Sequence, residues 1–179
     1  VGINSPLTDT GRTKDSGILV HCQGPDGNTT KAFKGPWMES IECQIIQGGV
    51  GDLILVEGYD TAGNRVEPTL TVTASRDRDG EDAYDPKAPP REFRRGRINW
   101  FGRDPDWNDV LGFRGSRDVE SADGQWTRIE VICEGDKITN IVNGTTVNVG
   151  TRLNLKKGKI LLQSEGAEIY FRKVILTPR

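Results

Sequence analysis

The sequence predicts an all-β fold, a two-sheet antiparallel jelly-roll sandwich. Twenty-two glycines and nine prolines separate short runs in which apolar and polar residues alternate, the pattern of half-buried strands. No segment has the 3.6-residue apolar period of an amphipathic helix. Asn143-Gly144 lies between two such runs, and a type I′ hairpin turn needs residues that tolerate positive φ at both central positions.

Ten segments have this strand pattern. They are 17–22, 40–47, 52–58, 69–74, 96–101, 127–134, 137–142, 145–149, 159–164 and 168–177.

Two segments interrupt the pattern within a single predicted domain, residues 1–179. Residues 1–14 are polar and are predicted to be a loop, and residues 75–95 are predicted to be a long charged insertion without strands. Because a central-looking strand follows directly on the opening loop, the sequence leaves open whether amino-terminal strands of the sandwich are missing.

Charge and hydropathy exclude two classes of partner. With 24 basic and 26 acidic residues the net charge is −2, so the concentrated positive charge of a nucleic-acid surface is lacking. No apolar run approaches the roughly 20 residues that span a bilayer. No signal peptide is visible and the chain starts at Val1, so we expect a trimmed amino terminus, which is compatible with export.

Three cysteines, Cys22, Cys43 and Cys133, lie on the apolar phase of their strands. Their number is odd and their spacing fits no zinc site, so core thiols are predicted. A Cys22–Cys43 disulfide is the alternative if those two strands are neighbours.

The strongest catalytic candidates are His21 and Glu42. Glu42 and Gln44 are two residues apart on a strand, so their side chains project from one face about 7 Å apart and can contact neighbouring sugar hydroxyls. A carboxyl group on a partly apolar wall has the raised pKa that acid–base catalysis near neutral pH requires. His21 can donate and accept a proton near pH 7. The alternatives are a solvated outer face for the pair and a core histidine bonded to a backbone carbonyl.

Residues 97–109 combine aromatic and planar polar side chains, as sugar-binding sites do. Trp100 and Trp107 are candidates to stack on a sugar ring, and Asn99 and Arg103 to bind its hydroxyls. The alternative is that the tryptophans fill the core.

Gln163 and Glu165 share one face of a strand near the carboxyl end, as Glu42 and Gln44 do earlier in the chain. If both strands belong to the same concave sheet, four polar side chains converge there and bind substrate.

Several segments together resemble the 3-keto-disaccharide hydrolase domain family, the domain of unknown function 1080. The similar segments run from Asp15 to the carboxyl end, and include Asp15-Ser16-Gly17-Ile18, Ile41-Glu42-Cys43-Gln44-Ile45-Ile46, Gly124-Gln125-Trp126-Thr127 and Ile160-Leu161-Leu162-Gln163-Ser164-Glu165. The resemblance implies a fold like the concanavalin-like lectins and glucanases, a bacterial and often exported protein, and cleavage of glycosides oxidised at C3. Family members commonly carry histidine where this chain has Glu165, and they have a strand segment before the one that starts at Asp15.

A carbohydrate-active enzyme that cleaves 3-keto-glycosides, by hydrolysis or elimination, is therefore the expected function. His21 and Glu42 would be its acid and base in unassigned order, and Gln44, Asn99 and Gln163 would orient the substrate or stabilise an enolate. A divalent metal ion held by His21 and Glu42 is the one candidate cofactor. The alternative is a non-catalytic carbohydrate-binding module on the same fold. The sequence leaves the oligomeric state open, and the expected location is the periplasm or the extracellular space.

Overall fold

Antiparallel strands build the whole fold in the computed structural model, which describes residues 2–3, 11–26, 37–59, 62, 64–165 and 167–178. The strands are β1 Gly2–Ile3, β2 Asp15–Gln23, β3 Glu39–Gln44, β4 Leu53–Val56, β5 Gly58–Tyr59, β6 Arg65–Val66, β7 Leu70–Arg76, β8 Asp82–Tyr84, β9 Pro90–Phe93, β10 Gly96–Ile98, β11 Ile129–Glu134, β12 Lys137–Val142, β13 Thr145–Gly150, β14 Lys159–Glu165 and β15 Ile169–Tyr170. The ten pairings between these strands are antiparallel, and one isolated parallel bridge joins Ala83 to Asn99, which confirms the predicted all-β class. No helix in the described part of the chain is long and apolar enough to cross a membrane.

The central sheet has five strands in the order β10-β4-β3-β2-β14. Its inner face carries Val20, Ile41, Leu53 and Ile98, which are buried in the main core. Two three-stranded sheets, β8-β7-β9 and β11-β12-β13, supply the opposing core residues Leu70, Val72 and Ile138. Burial of each such aliphatic side chain contributes about 1.5–3 kcal/mol, so the apolar face fixes which side of the central sheet points inward.

The hairpin predicted at Asn143-Gly144 is present. It joins β12 to β13, and both central residues have positive φ, 47° for Asn143 and 83° for Gly144. The three cysteines are free thiols, with Cys22 and Cys43 buried, so the alternative of a Cys22–Cys43 disulfide is wrong although β2 and β3 are neighbours.

The predicted absence of strands from residues 75–95 is wrong. This segment contains β8 and β9, which flank β7 on its two sides. Its charges pair across the sheet: Arg91 donates to both carboxylate oxygens of Asp82 at 2.7 and 3.0 Å. Pro90 is tolerated because it is the first residue of an edge strand, where no donor N–H is needed.

The predictions for the two ends of the chain need correction as well. Of the strand predicted over residues 168–177, only Ile169–Tyr170 forms, and Val174, Ile175 and Leu176 are exposed. The strand partner of Ile169–Tyr170 is Gly2–Ile3, inside the predicted opening loop. Residues 4–10 of that loop lie outside the described residues.

A buried ion pair joins the β3–β4 turn to the segment after β10. Asp52 is fully buried; one carboxylate oxygen accepts a 2.8 Å hydrogen bond from the backbone N–H of Trp100, and the other pairs with the guanidinium of Arg103. Arg103 in turn lies over the ring of Trp107, 4.1 Å from its centroid. Burial raises the pKa of Asp52 to about 6, although Arg103 and Arg97 favour the ionised form.

Replacing Arg103 with alanine should lower the free energy of unfolding by about 3–5 kcal/mol, because the buried Asp52 carboxylate loses its nearest counter-ion and keeps only Arg97, at 3.9 Å. Urea denaturation at pH 7 measures this. The matched control is Arg78→Ala: Arg78 pairs with Asp106 at 2.5 Å, but both side chains are more than half exposed. That variant should lose less than about 1 kcal/mol. Equal losses in the two variants would contradict a structural role for the buried pair.

Candidate active site

The outer face of the central sheet carries a row of polar side chains across three strands. Residues directly opposite each other in antiparallel strands project to the same side. Gly17 of β2 lies opposite Gln44 of β3 and also opposite Gln163 of β14. Two residues further along β14, and so on the same face, Glu165 lies opposite Asp15. The structure therefore places Gln44 and Gln163 on either side of Gly17, on one face of one sheet.

Gly17 makes room for the carboxyl group of Glu42. A Cβ atom at Gly17 would lie 2.0 Å from Glu42 Oε1 and 2.8 Å from its Cδ. The Glu42 side chain, only 5% exposed, thus extends from β3 over the backbone of β2. Its carboxyl group occupies the space between the two glutamines that an ordinary residue at position 17 would fill. We call Asp15, Gly17, Glu42, Gln44, Gln163 and Glu165 the carboxyl row.

Burial and mutual repulsion separate the pKa values of two carboxyl groups in this row. Burial, together with the negative charges of Asp15 and Glu165, raises the pKa of Glu42 to about 8, against the opposing charge of Arg97. Burial also raises the pKa of Asp15, to about 6. Hydrogen bonds limit that rise, because the Ser16 N–H donates to Asp15 at 2.7 Å. At neutral pH Asp15 is therefore mainly a carboxylate and Glu42 mainly a carboxylic acid.

The two glutamine side chains each hold one carboxylate and keep one free acceptor. Gln44 Nε2 donates to both oxygens of Asp15 at 3.1 Å, and Gln163 Nε2 donates to Glu165 Oε2 at 2.6 Å. Both amide oxygens are buried, and no described residue donates a hydrogen bond to them. Buried acceptors are normally paired, so an unpaired one marks a place where an ordered water or a ligand group can supply the donor.

Asn99 and Arg103 are engaged inside the protein. Asn99 is 2% exposed and donates to Glu81 Oε2 at 2.7 Å, and Arg103 belongs to the buried pair with Asp52. The structure does not place either of them in the carboxyl row.

The two tryptophans proposed as stacking platforms are also packed within the protein. Trp100 is 1% exposed in a second core cluster and donates to the Gly48 carbonyl at 3.2 Å, so it offers no ring face to a sugar. Trp107 is half-buried, donates to the Gln47 carbonyl at 2.8 Å, and has one face under Arg103. The core alternative holds for Trp100.

His21 lies at a β-bulge in β2. The pairing with β3 shifts between Val20 and Gln23, and His21 has a φ of 56°, in the left-handed region. Its Nε2 atom is buried with no hydrogen-bond partner among the described residues, and burial lowers its pKa. The charges that shift the pKa of Glu42 come from Asp15, Glu165 and Arg97 instead.

His21 and Glu42 were also the candidate metal ligands. In residues 11–26, 37–59, 62, 64–165 and 167–178, no group of three or more His, Cys, Asp or Glu side chains could hold a metal ion. The donors that the row offers are carboxyl groups, and one of them, Glu42, is mainly protonated at neutral pH.

Sequence reasoning missed Asp15 and Arg97. Asp15 precedes Gly17 by two residues and so shares its face of β2, which the alternation could have revealed. Arg97 of β10 lies opposite Ile54, which lies opposite Glu42. That alignment across β4 depends on strand order and register, for which the sequence has no local signal.

The model of the 3-keto-alpha-glucoside-1,2-lyase-like domain matches residues 6–177 of the chain. The chain belongs to this family. The match agrees with the resemblance found in the sequence, and the family's description supports a role connected with carbohydrates. No curated protein and no solved structure matches the chain.

Gly17→Ala should displace the Glu42 carboxyl group. The added methyl group would occupy the space of Glu42 Oε1, the end of a flexible side chain. At pH 4, where this carboxyl group is protonated in the folded and the unfolded chain, the free energy of unfolding should therefore change by no more than about 1 kcal/mol. The pKa of Glu42, followed by NMR of its carboxyl carbon, should fall from about 8 toward 4.5 as the group moves to solvent. Gly150→Ala is the control: its methyl group would crowd Ile138 and Leu70 in the core, lowering stability without moving that pKa. An unshifted Glu42 pKa in Gly17→Ala would show that the glycine does not hold the carboxyl in place.

Glu42→Gln should change how stability depends on pH. Below pH 4.5 Glu42 is protonated in both the folded and the unfolded chain; between 4.5 and about 8 only the folded chain keeps the proton. Wild-type stability should therefore fall through this range by up to about 1.4 kcal/mol per pH unit from this group. Glutamine removes that slope, which melting temperatures from pH 4 to 9 would reveal. Glu92→Gln, at an exposed residue, should keep the wild-type profile; a Glu42→Gln profile parallel to wild type would refute the raised pKa.

Proposed function

We propose that this protein cleaves glycosides whose sugar carries a ketone at C3, with Asp15 as the general base and Glu42 as the general acid. The observation that carries the proposal is the pair of carboxyl groups beside Gly17, whose pKa values are raised to about 6 and about 8. When two neighbouring carboxyl groups have different pKa values, the one with the lower pKa is ionised and can act as the base, and the one with the higher pKa keeps its proton and can act as the acid. This pair replaces the expected His21 and Glu42 pair, in which the order of roles was open.

A 3-keto group acidifies the proton on C2 of the sugar. The Asp15 carboxylate removes that proton, and the electrons of the C2–H bond form an enolate with the C3 oxygen. When the C3 carbonyl re-forms, a C1=C2 double bond forms and the bond from C1 to the leaving oxygen breaks. The Glu42 carboxyl group gives its proton to that oxygen. An unsaturated keto-sugar and an alcohol leave; addition of water to the former yields the product of net hydrolysis.

Groups that could bind the sugar and stabilise the negative charge of the enolate lie in or near the carboxyl row. The unpaired amide oxygens of Gln44 and Gln163 accept hydrogen bonds from sugar hydroxyls, and Gln44 also orients Asp15 through its amide nitrogen. The positive charge of Arg97 favours the ionised forms of both Asp15 and Glu42, so it also favours a nearby enolate. Glu165, which is exposed, lies at the solvent side of the row.

Two substrates with different leaving groups separate the base from the acid. A 3-keto-glucoside of p-nitrophenol has a leaving group that departs without protonation, whereas a 3-keto-disaccharide requires a proton donor. Asp15→Asn should lower kcat by about 10²–10⁴-fold on both substrates. Glu42→Gln should do so on the disaccharide alone. The kcat/KM of the wild type on the disaccharide should peak between the two pKa values, about 6 and about 8.

Controls and contrary outcomes are defined by the same assay. Asp123→Asn, at an exposed turn, should retain wild-type rates. A large loss in His21→Ala with full activity in Asp15→Asn would return the base role to His21. Activity with and without a chelator tests the divalent ion that His21 and Glu42 were expected to hold. An ultraviolet-absorbing unsaturated product identifies elimination as the first step.

A carbohydrate-binding module is the second candidate, since unpaired amide oxygens also suit simple binding. It predicts heat of binding to a keto-glycoside by calorimetry, a loss of that heat in Gln163→Ala, and no product from the wild type at any pH from 5 to 9. The enzyme hypothesis fails in that case.

A further inference from the structure

Strand β14 forms one edge of the central sheet and carries exposed apolar side chains. On one side it pairs with β2, and no other described strand pairs with it. Ile160 is 54% exposed and Leu162 is 42% exposed, although both project to the side of the sheet that elsewhere faces the core. An edge strand with large exposed apolar residues is a template for pairing with another chain.

The sequence of β14 is complementary to itself in the antiparallel direction. The strand has two charged residues, Lys159 at its first position and Glu165 at its last, with Leu162 in the middle. When two copies pair about Leu162, the two Leu162 residues are opposite each other and Lys159 is opposite Glu165 of the partner subunit. Residues opposite each other share a face, so opposite charges meet twice on one face and apolar side chains meet on the other.

We propose that two copies of this chain associate through β14, about a twofold axis at Leu162, into one continuous sheet of twice five strands. The occupant of the exposed edge is thus a second copy of the chain. In one register, a second copy of β14 matches both the charged ends and the apolar centre of the strand. A strand from an unrelated protein would match both only by chance, so the second copy is favoured.

Lys159 can exchange its present contacts for this one. It donates to Asp26 at 2.5 Å and to the Gly24 carbonyl at 3.4 Å, but the Lys159 and Asp26 side chains are 56% and 88% exposed. An ion pair so exposed contributes little, so exchange for Glu165 of the partner subunit has a small cost. In the dimer, the ammonium group of Lys159 would lie next to Glu165 of the partner subunit, at the end of the partner's carboxyl row. Association depends only on the edge strand and does not require the proposed catalytic chemistry.

Cross-linking tests the register directly. In a Cys133→Ser background, Leu162→Cys should form a disulfide-linked dimer under mild oxidation, because opposed residues in antiparallel strands have Cα atoms about 4.5–5.5 Å apart. Ile160→Cys is the control. Residue 160 is more exposed, yet its two copies would lie four residues apart along the strands, about 13 Å. Cross-linking of both variants, or of Ile160→Cys alone, would overturn the proposed register.

Charge exchange tests the association in solution, by sedimentation over a range of concentrations. The wild type should dimerise, and Lys159→Glu or Glu165→Lys alone should weaken the dimer by about tenfold or more by placing like charges opposite each other. The double variant Lys159→Glu/Glu165→Lys should restore it. Leu176→Glu, at an exposed apolar residue outside β14, should dimerise as the wild type does. A wild type that stays monomeric at the highest concentration, or a double variant no better than the singles, would refute the dimer whatever the enzymatic result.

Discussion

The absence of a side chain at Gly17 is the constraint on which the polar face of this sheet depends. A Cβ atom there would coincide with the carboxyl group of Glu42, which lies 2.0 Å away from that position. Because Gly17 is a regular strand residue between Gln44 and Gln163, its lack of a side chain leaves space without breaking the pairing of β2 with its neighbours. A buried carboxyl group can therefore sit in the middle of a continuous sheet.

Burying the carboxyl groups of Glu42 and Asp15 lowers the stability of the folded protein near neutral pH. Burial raises the pKa of Glu42 and of Asp15, so folding disfavours their ionised forms. By contrast, the buried carboxyl group of Asp52, in the turn between β3 and β4, has Arg103 and the Trp100 N–H as partners. Asp52 thus has a structural role, whereas Glu42 has three neighbouring charges and two of them repel it. A buried carboxyl group whose neighbouring charges mostly repel it is typical of a functional site. A carboxyl group with a structural role usually has a counter-ion beside it, as Asp52 does.

The sequence predicted the class of fold and most strands because alternation and turn residues are local signals. Its predictions were wrong or incomplete where contacts between distant parts of the chain determine the structure. β8 and β9 lie in a charged segment, and the charges of Arg91 and Asp82 neutralise each other across the sheet. The pairing of Glu42, Gln44 and Gln163 on one face was conditional on strand order, which only the structure supplies. Trp100 could not be assigned from sequence, because an aromatic side chain in the core and one on a sugar platform have the same local pattern.

Strand β14 joins the site to the edge of the sheet, and this makes association and protonation interdependent. Glu165 raises the pKa of both Asp15 and Glu42 by charge repulsion. If the partner's Lys159 neutralises Glu165, that repulsion weakens and both acids ionise more readily in the dimer. By reciprocity, ionisation of the row must then strengthen association by the same free energy. An edge strand with Gln163 on its polar face and Leu162 on the other therefore provides a physical route by which assembly adjusts the acid–base balance of the proposed site.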